Sequence, residues 1–375
     1  MKVLITGGGG FIGGHLARYL LQKQCEVSIL DNFCPQVHGK VGGLPSDLVR
    51  NVTLHRADIR DKDCLRRALE RQNVVVHFAA ETGTAQSMYE VSRYEDVNIG
   101  GTANLLDLLV NDSLRTVTRI VMASSRAVYG EGKYLCPADG VVFPNRRARE
   151  DMGSGLYELR CPRCGQPCQT IPTSEDSPLH PTSFYGLTKQ VQEEMILMFA
   201  KVMGLSAFAL RYQNVYGPGQ SLKNPYAGIL SIFASQARMN RPIYVFEDGY
   251  ESRDFVYIED VVEATWRCIS DADAAVEALN VGSGCRTSVK EVAETVVASL
   301  KSKSAVVIDK SFRDGDIRHN SADISKATSI IGFEPQWGFH EGVQEFLRWV
   351  ESQEVFPSRY ESSLLEGWER GILHA

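Results

Sequence analysis

A chain of 375 residues, 43% hydrophobic and 23% charged, can bury a large core. Its net charge of -6 and isoelectric point near 5.8 exclude a general nucleic-acid binder. No apolar run approaches the roughly 20 residues of a membrane span, and nine cysteines at this length make no disulfide scaffold, so a reducing cytoplasm is expected.

Met1 leads straight into Lys2-Val3-Leu4-Ile5-Thr6, which reads as a buried strand rather than a signal peptide. Gly7, Gly10 and Gly13 follow with the spacing G-x-x-G-x-x-G, and a helix from about 11 to 23 carries Leu16, Leu20 and Leu21. Such glycines let the turn close and bring backbone N–H groups and a helix N-terminus to a pyrophosphate. A second strand, Val27-Ser28-Ile29-Leu30, ends at Asp31, 24 residues after Gly7. A carboxylate there hydrogen-bonds a ribose diol and repels a 2′-phosphate. The expected cofactor is therefore NAD rather than NADP, on Gly7, Gly10, Phe11, Ile12, Gly13, Asp31 and Asn32; the bland alternative for Asp31 is a helix-capping acid.

The pattern then alternates. Thr53-Leu54-His55 precedes Asp58-Ile59; helix 61–71 leads to strand 74–80, and helix 95–110 to strand 119–125. Alternation of this length predicts an α/β fold of Rossmann type, a doubly wound parallel sheet with ligands beyond the carboxyl ends of its strands. Gly7, Asp31, Asp58, Ala80 and Ser125 all fall at those ends.

Segment 131–180 is rich in Pro, Gly and Arg and lacks periodicity, so a surface excursion is expected. It carries Cys161-Pro162-Arg163-Cys164, with Cys168 four residues on, and Cys136-Pro137-Ala138-Asp139 in the same frame. The two knuckles suggest a structural Zn2+ on Cys136, Cys161, Cys164 and either Cys168 or Asp139; inert thiols are the alternative.

Tyr185-Gly186-Leu187-Thr188-Lys189 opens a helix, with Ser183 as its cap and Gly204 as its stop. Positions i and i+4 share a face, so the Lys189 ammonium is expected to lower the Tyr185 phenol from its usual value of about 10 and make it a general acid/base. Alone, such a pair is commonly a core edge and a solvated tip; the dinucleotide turn and an upstream serine segment favour chemistry. Strand 206–211, helix 226–239 beyond a mobile-looking loop, helix 287–302, strand 306–308 and helix 340–353 complete the chain. Two units are expected: a dinucleotide-binding unit over 1–205 and a smaller α/β substrate unit over 206–375, with some exchange of elements.

The glycine turn, His77-Phe78-Ala79-Ala80, Asn98-Ile99-Gly100-Gly101-Thr102 and Ser124-Ser125-Arg126-Ala127-Val128-Tyr129-Gly130 recur in one family. So do Tyr185 to Lys189, Leu210 to Gly219, Arg253 to Asp260 and Gly315-Asp316-Ile317-Arg318. On these stretches the chain resembles an extended short-chain dehydrogenase/reductase of the nucleotide-sugar epimerase/dehydratase branch. The 60 residues from Ser125 to Tyr185 are more than twice that family's usual gap, and a paired knuckle there resembles its dTDP-L-rhamnose 4-epimerase group.

The resemblance implies that Asp58 and Ile59 flank the adenine and that Phe78, Ala79, Ala80 and Asn98 line the cofactor. Ser125, Tyr185 and Lys189 would be catalytic, with Lys189 also on the nicotinamide ribose. Thr82, Ser125, Arg126 and Asn214 would meet the substrate, a nucleotide-diphosphate sugar, and Arg253 and Arg318 would grip its diphosphate. A homodimer is implied through helix 95–110 and the Tyr185 helix, where Met195, Met198 and Phe199 serve that face or the core.

The implied reaction is 4-epimerisation of a dTDP- or UDP-hexose through a transient 4-keto sugar. Arg126 and Ala127 stand where 4,6-dehydratases carry an acidic pair, and Ala127 also removes the acid/base of 3,5-epimerase-reductases. Decarboxylation of a uronic acid stays open, because it too begins with 4-oxidation; Arg126 contacts a charged substrate or is a solvated arginine. Gln213 departs from the family's aromatic residue before Asn214. A non-catalytic NAD-binding sensor would lack the tyrosine or lysine, and both are present.

Overall fold

The computed structural model describes residues 1–39, 42–111, 116–224, 228–270, 273–355 and 360–374. Seven parallel strands form its central sheet, in the order Val276–Val281, Ser206–Tyr212, Arg119–Ser125, Val74–His77, Lys2–Thr6, Glu26–Asp31 and Thr53–Arg56. The inner strands read as near-continuous apolar runs because helices cover both faces: Val3, Leu4, Ile5, Val75 and Val76 are fully buried. Chain order reverses between Lys2–Thr6 and Val74–His77, and that switch point opens a crevice at the carboxyl ends. Two of the seven strands come from beyond residue 205.

Strand 74–80 is shorter than its apolar run suggests and ends at His77. Phe78–Ala80 bend away around the first glycine turn, with the Ala79 N–H donating to Thr6 Oγ1 at 3.3 Å. Helix 95–110 begins at Val91 and passes through a π-helical turn, Glu95–Gly100, before Gly101–Asn111; such a turn redirects side chains and often marks a functional site. Residues 226 and 227 of helix 226–239 lie outside the described residues, and the helix is seen from Ile229 to Arg238.

Segment 131–180 is not the structureless excursion its composition suggests. Tyr134–Cys136 pairs antiparallel with Gly140–Val142 and Gln169–Thr170, over a small core of Tyr134, Val142 and Leu159. A buried ion pair binds it to the body, Arg147 reaching Glu247 at 2.9 Å, and the same guanidinium reaches Glu131 within the segment at 3.3 Å. Among the described residues, no helix is long and apolar enough to cross a membrane.

Helix Phe184–Met203 is capped by the Ser183 hydroxyl, which accepts the Gly186 N–H at 3.1 Å, and stops at left-handed Gly204. Its buried face carries Glu193, which accepts from Arg211 at 2.6 Å and from the Ser124 hydroxyl at 2.6 Å. Arg211 also donates to the Tyr129 hydroxyl at 2.7 Å. Removing one member of a buried pair strands the other charge. Glu193→Ala should therefore cost about 3–5 kcal/mol in urea unfolding, whereas replacing Glu193 and Arg211 together by methionine should cost far less.

Candidate active site

The crevice begins with atoms that have no room for a side chain. Gly7 has φ +70°, and a Cβ on it would lie 2.7 Å from the Ala79 nitrogen; a Cβ on Gly13 would lie 2.7 Å from the Gly7 oxygen. The turn from Gly7 through Gly10, Phe11 and Ile12 is thus packed backbone to backbone, and the helix Phe11–Gln22 starts there. Asp31 sits at the end of the next strand. One carboxylate oxygen accepts the Gly9 N–H at 2.9 Å and the other the Phe33 N–H at 2.7 Å. Asn32 donates to Asp58 at 2.9 Å. Partial burial raises the Asp58 carboxyl, but Arg60 and Asn32 more than offset this and hold it at about 2. Ile59 is buried beside Gly101, where a Cβ would meet its side chain at 2.5 Å. A backbone cradle, a helix N-terminus and a carboxylate at the next strand's end suit the pyrophosphate and ribose of a dinucleotide.

Asn98 is fully buried and does not face the crevice. Its Oδ1 accepts the Glu81 N–H at 2.7 Å, and its Nδ2 donates to the Glu81 carbonyl at 3.1 Å and to Thr188 Oγ1 at 2.9 Å. It clamps the loop after Ala80 to the Tyr185 helix. Phe78 stands edge-on to Tyr212, ring centroids 6.2 Å apart. Thr82 is exposed, and its carbonyl takes the Tyr94 hydroxyl at 2.6 Å; Gly83, Thr84 and Ala85 line the neighbouring cavity instead.

Ser125 and Tyr185 come together. The serine closes strand Arg119–Ser125, its hydroxyl accepting the Ala127 N–H at 3.2 Å and standing near enough to the Tyr185 phenol to favour its charged form. Burial pushes that phenol up; the Ser125 hydroxyl and Arg126 guanidinium pull it partway back. The Lys189 ammonium does not act on it as the i, i+4 spacing suggests. Lys189 is buried, and its Nζ donates to Gln192 Oε1 at 2.9 Å. Burial brings it down to about 7, against the opposing pull of Glu193. An ammonium removed from water takes the nearest amide oxygen, and here that acceptor is three residues on along the same helix. Gln192 in turn donates to Thr102 Oγ1 at 2.8 Å. Neighbouring His77 is held neutral, its imidazole lowered to about 3 by burial and by Lys189.

Beside this pair, at Arg126, a cavity of about 290 Å³ opens, with Arg126, Asn214, Arg253, Arg313, Asp316 and Glu251 on its walls. Arg126 donates from Nε to Asn214 Oδ1 at 2.7 Å, and burial and the Arg253 charge lower it to about 9. Burial pushes the Glu251 carboxyl up to about 8, toward its neutral form, so three guanidiniums share the walls with the carboxylates of Glu247 and Asp316. Arg253 is buried and braced by two backbone carbonyls, of Ser252 at 2.9 Å and Arg318 at 3.1 Å.

Arg318 lies behind the wall rather than on it. It is 1% exposed and pairs with Glu158 at 2.6 Å, Asp248 at 2.7 Å and Glu247 at 2.9 Å, and of these Glu247 lines the cavity. Three carboxylates, one from the 131–180 segment, satisfy its guanidinium. The cation on the wall is Arg313, unmarked in the sequence reading, whose guanidinium sits 4.7 Å over the Phe246 ring. Its signal was the turn Arg313-Asp314-Gly315-Asp316, which presents both Arg313 and Asp316 to the cavity. Gln213 is buried, with no protein partner for either amide atom among the described residues.

A second cluster lies in the 131–180 segment. The donor atoms of Cys136, Asp139, Cys161 and Cys164 all fall within 4.8 Å of one another. Asp139 rather than Cys168 completes this foursome; Cys168 packs beside it, its thiol turned to the Gln166 carbonyl at 3.7 Å. Asp139 accepts from Cys161 at 3.1 Å and helps push the Cys164 thiol up to about 12.

The sequence model of the GDP-mannose 4,6 dehydratase family matches residues 4–137 and 165–346. The chain is 36% identical over 360 residues to a dTDP-L-rhamnose 4-epimerase of Burkholderia thailandensis, covering 93% of this chain and 94% of that one. It is similar in structure to the UDP-glucose 4-epimerase of Thermotoga maritima, solved with UDP-glucose, at a TM-score of 0.76 and 28% identity over 94% of this chain and 99% of that one. It is also similar to the UDP-glucose 4-epimerase of Thermus thermophilus, solved with NAD, at a TM-score of 0.74 and 26% identity over 94% and 100% of the two chains. With its sheet order, glycine turn and Ser125–Tyr185 pair, the chain belongs to the GDP-mannose 4,6 dehydratase family of extended short-chain dehydrogenases/reductases.

Proposed function

We propose that this protein is a nucleotide-sugar 4-epimerase that uses bound NAD and acts on a dTDP- or UDP-hexose. The observation that carries this reading is the meeting of Ser125 and Tyr185 at the end of the sheet, next to Arg126 on the wall of an arginine-lined cavity and on the same sheet edge as the glycine turn. The glycine turn and Asp31 would hold NAD, which when bound supplies the hydride acceptor and donor for the sugar's fourth carbon. Ser125 orients the 4-hydroxyl. Tyr185, as phenolate, takes the proton from that oxygen and returns it to the same oxygen once the 4-keto sugar has turned its other face to the cofactor side. Arg126 is the cation that favours that phenolate. Lys189, near half-charged at pH 7, is assigned to the nicotinamide ribose. A ketone that turns over needs a firm grip on the diphosphate and a loose one on the sugar; Arg253 and Arg313 provide the grip.

Dehydration lacks its acid, since Arg126 and Ala127 follow Ser125. Decarboxylation of a uronic acid is the second reading, favoured by the Arg126 guanidinium beside the catalytic pair. A structural zinc ion fits Cys136, Asp139, Cys161 and Cys164 and would staple the 131–180 segment without reactive chemistry. Leu187, Met198 and Val202 are exposed on the outer side of the Tyr185 helix, which supports a homodimer through that helix; Met195 and Phe199 pack on the core instead. Nine free thiols suit a reducing cytoplasm.

Incubated with UDP-, dTDP- and GDP-hexoses and no added NAD, the purified protein should yield a second isomer of unchanged mass. A product lighter by water or carbon dioxide reassigns the chemistry. Tyr185→Phe should lower turnover by roughly 100- to 10,000-fold. Arg126→Gln removes a charge that lowers the phenol, so the phenolate forms only at higher pH. The acid limb of the kcat/KM profile should move upward; a limb that stays in place or moves down contradicts the assignment. Metal analysis should find zinc stoichiometric with protein, and Cys161→Ser should release it and lower Tm while NAD still binds.

A further inference from the structure

The family match ends at residue 346, yet the substrate cavity is not closed by residues before that point. Tyr360, Ser363, Gly367, Ile372 and Leu373 line the same space as Arg126, Asn214 and Arg313. These residues belong to helix Tyr360–Glu369 and strand Leu373–His374, with Ile372 at the junction between them.

The helix is oriented the opposite way from one that packs on a core. A core-facing helix turns its large apolar side chains inward. Here Leu365 and Trp368 point outward, 63% and 43% exposed, while Ser363 and Gly367 face the cavity. Positions 360, 363 and 367 share one helix face. Buried Tyr360 fills the start of that face, and Ser363 and Gly367 beyond it leave space for a ligand.

The segment is fastened along its length. Glu361 pairs with Arg241 at 3.3 Å near the start. The Arg370 guanidinium lies 5.1 Å from the Tyr89 ring, another lining residue on the sugar side. Strand Leu373–His374 pairs antiparallel with Phe312–Arg313, and the Asp314 N–H donates to the Ile372 carbonyl at 2.9 Å. His374 reaches Asp314 at 3.1 Å, and Arg149 of the 131–180 segment closes on the same carboxylate. Leu373 is therefore registered directly against Arg313, one of the two cavity guanidiniums placed on the diphosphate.

We propose that residues 360–374 form the outer wall of the nucleotide-sugar cavity and that Tyr360 and Leu373 set its affinity for the nucleoside diphosphate part of the substrate. This rests on the reading of the cavity as a nucleotide-sugar site. The wall acts on binding and leaves the Ser125–Tyr185 chemistry alone, because none of its residues touches that pair.

Calorimetric titration of the NAD-loaded protein with UDP and with dTDP tests this, alongside KM and kcat on the productive sugar. Leu373→Ala should weaken nucleotide binding about tenfold, in line with removing methylenes from an apolar subsite, and should raise KM with kcat kept within about twofold. Tyr360→Ala should do the same. Ser363→Trp, which fills the cavity from an unstrained helical position, should weaken binding at an unchanged Tm, so the test survives if a truncation fails to fold. Leu365→Ala, on the outward face, should bind as the parent does. Parental affinity in both Leu373→Ala and Ser363→Trp overturns the wall. A parent protein that binds UDP or dTDP but forms no isomer overturns the 4-epimerase reading and leaves the wall standing. A parent that binds neither nucleotide overturns both.

Discussion

The site depends on one contact that a methyl group would destroy. Gly186 rests against the Ala127 carbonyl so closely that a Cβ would sit 2.5 Å from that oxygen. The contact lets the first turn of helix Phe184–Met203 dock on the turn Arg126–Tyr129, which leaves the sheet at Ser125. Tyr185 and Ser125 are 60 residues apart in the chain, and this seat makes them neighbours. Ser183 caps the helix from one side, and Glu193, two turns on, anchors it to Arg211 and Ser124. The phenol is thus held by backbone packing at one end of the helix and a buried ion pair further along. The Ser125 hydroxyl then meets a phenol whose position is already set.

Electrostatics within that frame follow burial first and proximity second. Tyr185, Lys189 and His77 are all pushed toward their neutral forms, because the helix–sheet interface excludes water. Arg126 resists: its cation is lowered to about 9 yet stays charged at pH 7, and it borders the cavity. A lysine pushed toward its neutral form and an arginine that stays charged divide the labour otherwise than the i, i+4 spacing implies. With the Glu251 carboxyl pushed up by burial, the guanidiniums of Arg126, Arg253 and Arg313 outnumber the remaining lining carboxylates of Glu247 and Asp316, which suits an anionic diphosphate.

What could be read from the sequence was local. The strand at 2–6, the glycine turn, the Ser183 cap and the Gly204 stop each follow from residues a few positions apart, and they stand where spacing put them. What could not be read was decided by partners far along the chain. Arg318 looks like a phosphate ligand until Glu158, 160 residues away, takes its guanidinium; Arg313 looks like a surface residue until the fold turns it over Phe246. Lys189 points at Tyr185 on a helical wheel, but Gln192 offers the nearer acceptor once water is gone. Asp139 looked like the imperfect member of a knuckle, yet its carboxylate lies within reach of all three cysteines of its group. Composition misjudged 131–180 because its core is small and its anchoring is ionic.

The two long stretches outside the family match, 138–164 and 347–375, explain a division within the molecule. The matched span holds the glycine turn, Asp31, Ser125, Tyr185 and Lys189, so the chemistry is complete without the additions. Both additions converge instead on the loop that carries Arg313 and Asp316: Arg149 and His374 meet on Asp314, and Arg147 donates to the Asp316 carbonyl at 3.1 Å. A loop pinned from two sides holds its arginine in one place, and a guanidinium fixed before binding loses less entropy when it grips a phosphate. The additions therefore act on how firmly the nucleotide is held. Because the sugar must turn while its diphosphate stays, firmness at that end is the property a 4-epimerase of this design can raise without hindering its own reaction.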